Sequence, residues 1–138
     1  GRGCRLFHVH QTFHDTTEIL NYLCDELIDN DLATKAYKED VFKREAVSAT
    51  SFMYGFAVPH SIEVSTKKSC ISVLILDRSV KWGEFDVKFI ILLGIRETDN
   101  HLLKIFFDWL SSIVANSKKF EQLLEVNNYE EFMKEIIA

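Results

Sequence analysis

The sequence predicts an α/β fold in which a mixed β-sheet is flanked by helices, a single-domain sandwich over residues 1–138. Three observations carry this reading. Two segments with helical spacing of apolar residues open the chain, a group of short apolar runs rich in β-branched residues follows, and three more helical segments close it. With 138 residues, 47% of them hydrophobic and 27% charged, the chain can bury a continuous core without disulfide or metal staples. Five Gly and one Pro leave no room for a flexible linker.

The elements follow in order. After Asp15, a good N-cap, Ile19, Leu20, Leu23, Leu27 and Ile28 recur at helical spacing, so a first helix should run to about Asn30. A second is expected from about Thr34 to Val47, its stripe passing through Tyr37, Val41, Arg44 and Ser48. A long cation on that stripe either snorkels to the rim or neutralises an anion. "FAVP" and "SCISVLIL" read as strands, and the nearly unbroken apolar run of "VKFIILLGI" predicts a central strand buried on both faces. "DNHLLKIFFDWLSSIVAN", capped by Asp99 or Asn100, is a strong helix whose stripe holds Leu102, Phe106, Trp109 and Ile113. "SKKFEQLLEV" and "NYEEFMKEIIA" complete the series. The charged stretches "YKEDVFKRE" and "SKKFEQ" read as ordinary solvated helix faces.

The formal charge of −5 argues against a nucleic-acid surface, which needs clustered Lys and Arg. Cys4, Cys24 and Cys70 are odd in number and widely spaced, which suggests neither a disulfide framework nor a zinc site and fits reduced thiols in a cytoplasm. With no apolar run of about twenty residues and no signal-peptide order at the start, membrane insertion and export are not expected. The chain does not begin with Met, which predicts a piece of a longer polypeptide. His8 and His10 in "HVH" would point to one face of a strand, but two ligands without a third nearby do not make a metal site. No metal and no cofactor are therefore expected. His14 has no partner in the sequence and is read as a surface residue.

The chemistry gathers around "REAVSATSFMYGFAVPHSIEV", residues 44–64. Proline cannot donate to a sheet ladder, so "FAVPH" should end at Pro59 and deliver His60 to the C-terminal edge of the sheet, where open α/β sheets bind ligands. His101 is expected in the first turn of the long helix, where free N–H groups and the helix dipole favour an anion. Arg44 would add a planar cation suited to phosphate oxygens, and Thr50 and Ser51 would add hydroxyl donors. Two histidines, an arginine and a helix N-terminus are parts for phosphoryl transfer through a phosphohistidine, catalysed by positioning and charge stabilisation. On spacing alone a satisfied surface histidine is the commoner occurrence. Glu45 is either a solvated helix charge or the residue that orients Arg44. Phe52, Met53, Tyr54 and Phe56 leave two readings open, core packing or the docking of a partner.

The pair Arg44-Glu45, the small polar turn with Thr50 and Gly55, and "FAVPH" resemble the R-E…T…G-x-A-x-P-H signature of enzyme IIA components of the sugar phosphotransferase system, fructose/mannitol class. An apolar strand pair separated by a turn with Trp82, then "ETDNHLLKIFFDWL", which looks like the family's H-L-x-x-L helix, extends the similarity over nearly the whole chain. The resemblance implies that His60 accepts a phosphoryl group from the phosphocarrier HPr and passes it to a cysteine of a IIB domain. It implies that His101 assists at the phosphoryl group and that Arg44 is the family arginine; Thr50, Ser51 and Glu45 stand beside them as candidate supports of the phosphate site. Two departures, "SFMYGF" in place of smaller residues and Ser61 after His60, bear on partner choice, with Phe52, Met53 and Tyr54 as docking residues. Two function classes follow. One is a phosphotransferase of sugar uptake; the other is a regulatory domain of a transcriptional antiterminator, as in the BglG family, or of an activator, covalently linked to further domains, whose phosphorylation reports sugar supply. A metal-dependent hydrolase using His60 and His101 lacks further ligands at metal spacing.

Overall fold

The computed structural model describes residues 5–137, so Cys4 and the chain start lie outside the described residues. The elements are β1 (Arg5–Gln11), α1 (Thr16–Asp29), α2 (Lys35–Val47), β2 (Ser51–Phe52), β3 (Phe56–Ala57), β4 (Cys70–Trp82), β5 (Phe85–Gly94), α3 (His101–Val114), α4 (Ser117–Leu124) and α5 (Tyr129–Ile137). The predicted α/β class with a mixed sheet is what the chain forms, with one difference in order: a strand precedes the first helix. The five strands lie in the order β1-β4-β5-β3-β2. β1 is parallel to β4 and β3 to β5, while the β4/β5 and β2/β3 pairs are antiparallel.

The two long strands explain the two layers. Because successive side chains leave a strand on opposite faces, Leu74, Ile90 and Leu92 meet Ile19, Leu20, Leu23 and Leu27 of α1 and Tyr37 and Val41 of α2. Their neighbours Val73, Ile75, Phe89, Ile91 and Leu93 meet Leu110 and Ile113 of α3, Phe120 and Leu123 of α4, and Phe132 of α5. β5 is apolar without alternation because it is covered on both sides. The turn into β5 is two residues long, and Gly83 takes φ +62 there. A Cβ at that position would lie 2.6 Å from Ala49 Cβ, so the turn requires glycine on two counts. Asp15, Thr34, Asn116 and Asn128 accept hydrogen bonds from the first turns of α1, α2, α4 and α5.

Three expectations need correcting. Asn100 occupies the N-cap position of α3 but makes no side-chain cap bond. Asp99 is committed elsewhere, accepting from Ser69 Oγ at 2.6 Å and pairing with Arg96, and these two hold its carboxyl below the usual range. Asp40, expected on a solvated face, is buried. His8 and His10 do not share a face. Between His8 and Gln11 three steps along β1 oppose two along β4, and His10 absorbs the extra residue with φ +56. His8 Nε2 therefore meets Glu26 of α1 at 2.7 Å, whereas His10 reaches Asn127, between α4 and α5, at 2.9 Å and Asp77 at 3.1 Å. Among the described residues no helix is long and apolar enough to cross a membrane.

The environment of His10 yields a pH prediction. The hydrogen bond with Asn127, then that with Asp77 and the Asp77 charge, raise its pKa above the ordinary value. A group whose folded pKa is raised contributes stability that is fully present below its unfolded pKa, about 6.5, and lost as pH rises through the folded value. His10→Ala should thus lower the melting temperature at pH 5.5 and have less effect at pH 8.5. Thermal melts at the two pH values check this, and an equal loss at both would deny the imidazolium a role.

Candidate functional site

β3 and β5 run parallel, so their C-terminal ends share one edge of the sheet, and the chain leaving β5 enters α3 through a single 3₁₀ turn at Glu97–Asp99. His60 and the start of α3 are thereby brought to the same side. The two-residue strand β3 is extended by backbone contacts: Val58 N–H donates to Thr50 O at 3.0 Å, Pro59 O accepts from Leu93 N–H at 3.0 Å, and His60 forms a parallel bridge with Leu93. Pro59, which has no N–H, joins this pairing through its carbonyl alone.

The imidazole of His60 is half-buried and fixed. Its Nδ1 lies 2.7 Å from Val58 O. A carbonyl only accepts, so Nδ1 carries the hydrogen, and in the neutral ring the lone pair resides on Nε2. The ring is packed edge-on against Phe107 of α3, centroids 6.1 Å apart. His101, exposed at the first position of α3, stands six residues before Phe107, about 9 Å along the helix axis.

Arg44 is partly exposed and donates from Nη1 to Ser48 O at 2.7 Å, tying down the last turn of α2. With Asp40, Lys43, Val47, Ser48, Ile62 and Glu63 it lines a groove of ≈ 420 Å³ beside the chain that leaves His60. Glu45 points the other way. Oε2 accepts from Thr50 N–H at 2.6 Å and from Trp82 Nε1 at 2.9 Å, and Oε1 accepts from Thr50 Oγ1 at 2.7 Å. The carboxylate thus neither floats in solvent nor grips Arg44. It joins the end of α2 to the approach to β2 and to the end of β4. Ser51 Oγ donates to Trp82 O at 2.6 Å, so the hydroxyl hydrogens of Thr50 and Ser51 both go to protein acceptors.

The apolar cluster divides. Phe56 is buried, while Phe52, Met53 and Tyr54 are 43%, 57% and 62% exposed. The loop between β2 and β3 turns through positive φ at Tyr54 (+79) and Gly55 (+89), with Gly55 O accepting from Lys88 and Phe89 N–H. An aromatic residue rarely adopts that conformation, and here it holds the three side chains outward. They line a groove of ≈ 400 Å³ with Phe107 and Leu110 of α3. Phe107 belongs both to this groove and to the wall of His60.

Sequence reasoning missed Asp40. Its Oδ2 accepts from the N–H groups of Ile62 and Glu63 at 2.8 Å and of Val64 at 3.2 Å, the turn directly after His60. Those partners lie 22 to 24 residues away, and neither hydrophobic periodicity nor local charge pairing could have signalled them.

The family model described as phosphoenolpyruvate-dependent sugar phosphotransferase system, EIIA 2, matches residues 4–138. Among curated proteins, the chain is 25% identical to a probable licABCH operon regulator of Bacillus subtilis over 83% of the chain and 18% of that protein. It is 30% identical to multiphosphoryl transfer protein 1 of Escherichia coli K12 over 84% of the chain and 14% of that protein. The chain therefore spans a fifth or less of the length of these relatives. Among solved structures, enzyme IIA(Mtl) in its complex with phosphorylated enzyme IIB(Mtl) from Escherichia coli superposes with a TM-score of 0.82 at 16% identity, covering 99% of this chain and 96% of that one.

The three donors on Glu45 give a stability prediction. Removing a charged acceptor from part-buried donors costs about 1–3 kcal/mol, so Glu45→Ala should destabilise by that order, while Glu45→Gln, which retains one acceptor oxygen, should lose less. Urea unfolding of both variants checks the ranking, and a Glu45→Ala midpoint equal to wild type would place the carboxylate outside the stability of the α2–β2 junction.

Proposed function

The chain belongs to the EIIA 2 family of the phosphoenolpyruvate-dependent sugar phosphotransferase system, and we propose that within it His60 is the phosphoryl acceptor of a relay from HPr to a cysteine of a IIB domain. The observation that carries the assignment is the Nδ1 bond to Val58 O, which reserves Nε2 for attack at the open edge of the sheet. The Nε2 lone pair attacks phosphorus, the bond from phosphorus to the donor breaks, and its electron pair leaves with the donor. In the onward step a thiolate attacks the same phosphorus and the electron pair of the P–Nε2 bond returns to His60. Arg44 and the imidazole of His101 stabilise the phosphoryl oxygens in both directions. Glu45, Thr50 and Ser51 support the site from behind by fixing the strand that carries His60. Phe52, Met53 and Tyr54 supply a docking face for the protein partners. The groove they share with Phe107 supports that reading, because large exposed apolar side chains next to a reactive group suit a protein surface better than water.

A second reading is favoured by one observation, the relation to an operon regulator of which this chain covers 18%. There the same phosphorylation would report sugar supply to further domains of one polypeptide. The coding sequence flanking this segment discriminates the two.

With HPr, the kinase that charges it and phosphoenolpyruvate, one phosphoryl group should appear on the protein and be lost in His60→Ala. An unchanged adduct mass in the variant sinks the assignment. Arg44→Ala should fold and accept phosphate ten- to a thousandfold more slowly, the order that loss of one charge-stabilising donor costs. His101→Ala should keep the label on His60 but slow its passage to a IIB cysteine, and label recovered on the "DNHLLK" peptide of the wild type would reverse the roles of the two histidines. Phe52→Ser should weaken transfer while leaving the melting temperature near wild type. A large drop in melting temperature would instead assign Phe52 to packing on Phe56, against which it stacks at 4.9 Å.

A further inference from the structure

Asp40 lies one helical turn before Arg44 on α2, at the i, i+4 spacing that places two residues on the same face. It is 8% exposed, which is rare for a carboxylate. Three consecutive backbone N–H groups, those of Ile62, Glu63 and Val64, converge on a single oxygen of it. Such a convergence is an anion nest, and here an anion of the chain's own fills it. The turn that makes the nest is closed on itself by Ser61 Oγ, which donates to Val64 O at 2.5 Å. It starts one residue after His60.

The backbone around His60 is consequently held on two sides. Upstream, Pro59 O is bound to β5 and Val58 O to the imidazole. Downstream, beyond the bridge of His60 to Leu93, the turn of residues 62–64 is attached through the carboxylate of Asp40, before Thr66 N–H meets Ile95 O. Because Asp40 and Arg44 share a helix face, that attachment also sets how far the guanidinium of Arg44 stands from the turn across the groove they line with Ile62 and Glu63.

We infer that Asp40 is a positioning residue for phosphoryl transfer: by seating the turn of residues 61–64 on α2, it fixes the direction of His60 Nε2 and the register between that nitrogen and Arg44. By filling the nest it also keeps phosphoryl oxygens away from those three N–H groups and leaves them to Arg44 and His101. Burial alone would push its carboxyl up, but the N–H groups of Glu63, Ile62 and Val64, with Lys43, outweigh that and hold it below the usual range. The anchor stays ionised at neutral pH.

The inference rests on His60 as acceptor, and the test separates the two. Asp40→Ala, Asp40→Asn and, as a control, Val41→Ala are compared in the full chain. Val41 is the next residue of α2, buried in the core, and makes none of the hydrogen bonds to the turn; its truncation costs stability while leaving the carboxylate in place. An ångström of misplacement costs up to about a hundredfold, so Asp40→Ala should accept phosphate from HPr roughly ten- to a hundredfold more slowly at saturating HPr, with KM for HPr little changed. Asp40→Asn, which retains an acceptor oxygen of the same shape, should fall between the two and remains the measurable variant should Asp40→Ala fail to fold. In ¹⁵N spectra both variants should shift the amides of Ile62, Glu63 and Val64 and the ring nitrogens of His60, whereas Val41→Ala should leave the Ile62 and Glu63 amides and the ring nitrogens in place. A wild-type rate in Asp40→Ala, or an equal slowing in Val41→Ala, overturns the inference. Should wild-type protein take no label at His60, the acceptor reading falls, and unmoved His60 ring signals in the Asp40 variants would still decide against positioning.

Discussion

The backbone of Leu93 is the joint on which the arrangement depends. Its N–H holds Pro59 and its C=O accepts from the Tyr37 hydroxyl at 2.5 Å. His60 bridges to the same residue, so one peptide position ties the end of β3, the end of β5 and the first turn of α2 together. Tyr37 is fully buried, and a buried hydroxyl without a partner is expensive, which pins α2 to the sheet at that level. The packing of both layers converges on β5 for the same reason. Its residues alternate between two hydrophobic cores, and neither layer can shift without dragging the edge where the histidine sits.

How much of this was legible follows from the range of the interactions. Helices α1, α3, α4 and α5 announce themselves through apolar spacing and β5 through an unbroken apolar run, because those signals come from neighbours in sequence; α2, with Tyr37 and Val41 as its buried apolar residues, is marked more faintly. β3 was legible as the strand "FAVP", of which Phe56–Ala57 form the ladder, whereas β2, also two residues long, is too short to carry a period. They exist because Gly55, the β5 edge and Glu45 hold them. The start of β1 was obscured by His8 and His10, whose opposite faces follow from a bulge that no alternation rule contains. At the candidate site, His60, Arg44 and His101 could be singled out because a proline, an arginine on a helix stripe and a helix start are local signals. Asp40 and the bonds of Glu45 to Trp82, 37 residues away, were not, since hydrogen bonds of that reach leave no mark on composition or periodicity.

Two carboxylates on α2 thus do the fastening, while the cation between them faces the groove. Glu45 fastens the chain that enters β2, Asp40 the chain that leaves His60, and Arg44 is the neighbour of one and shares a face with the other. The segment from residue 45 to residue 64 is in effect a loop stapled at both ends to one helix. A few residues of strand suffice inside it, because loop ordering is achieved by acceptors of backbone N–H groups rather than by a long ladder.

The clamp on Nδ1 of His60 has a kinetic corollary. With that nitrogen engaged by Val58 O and one wall of the ring covered by Phe107, the imidazole cannot turn over to present a second reactive position. In the relay proposed above, donor and recipient must therefore use the same small window in succession, each vacating it before the other arrives. Such a gate imposes ping-pong order, and an excess of either uncharged partner obstructs the other. Throughput would then peak where the two partners are balanced, so the relative abundance of its neighbours, rather than the chemistry at the ring, would set the traffic through this protein.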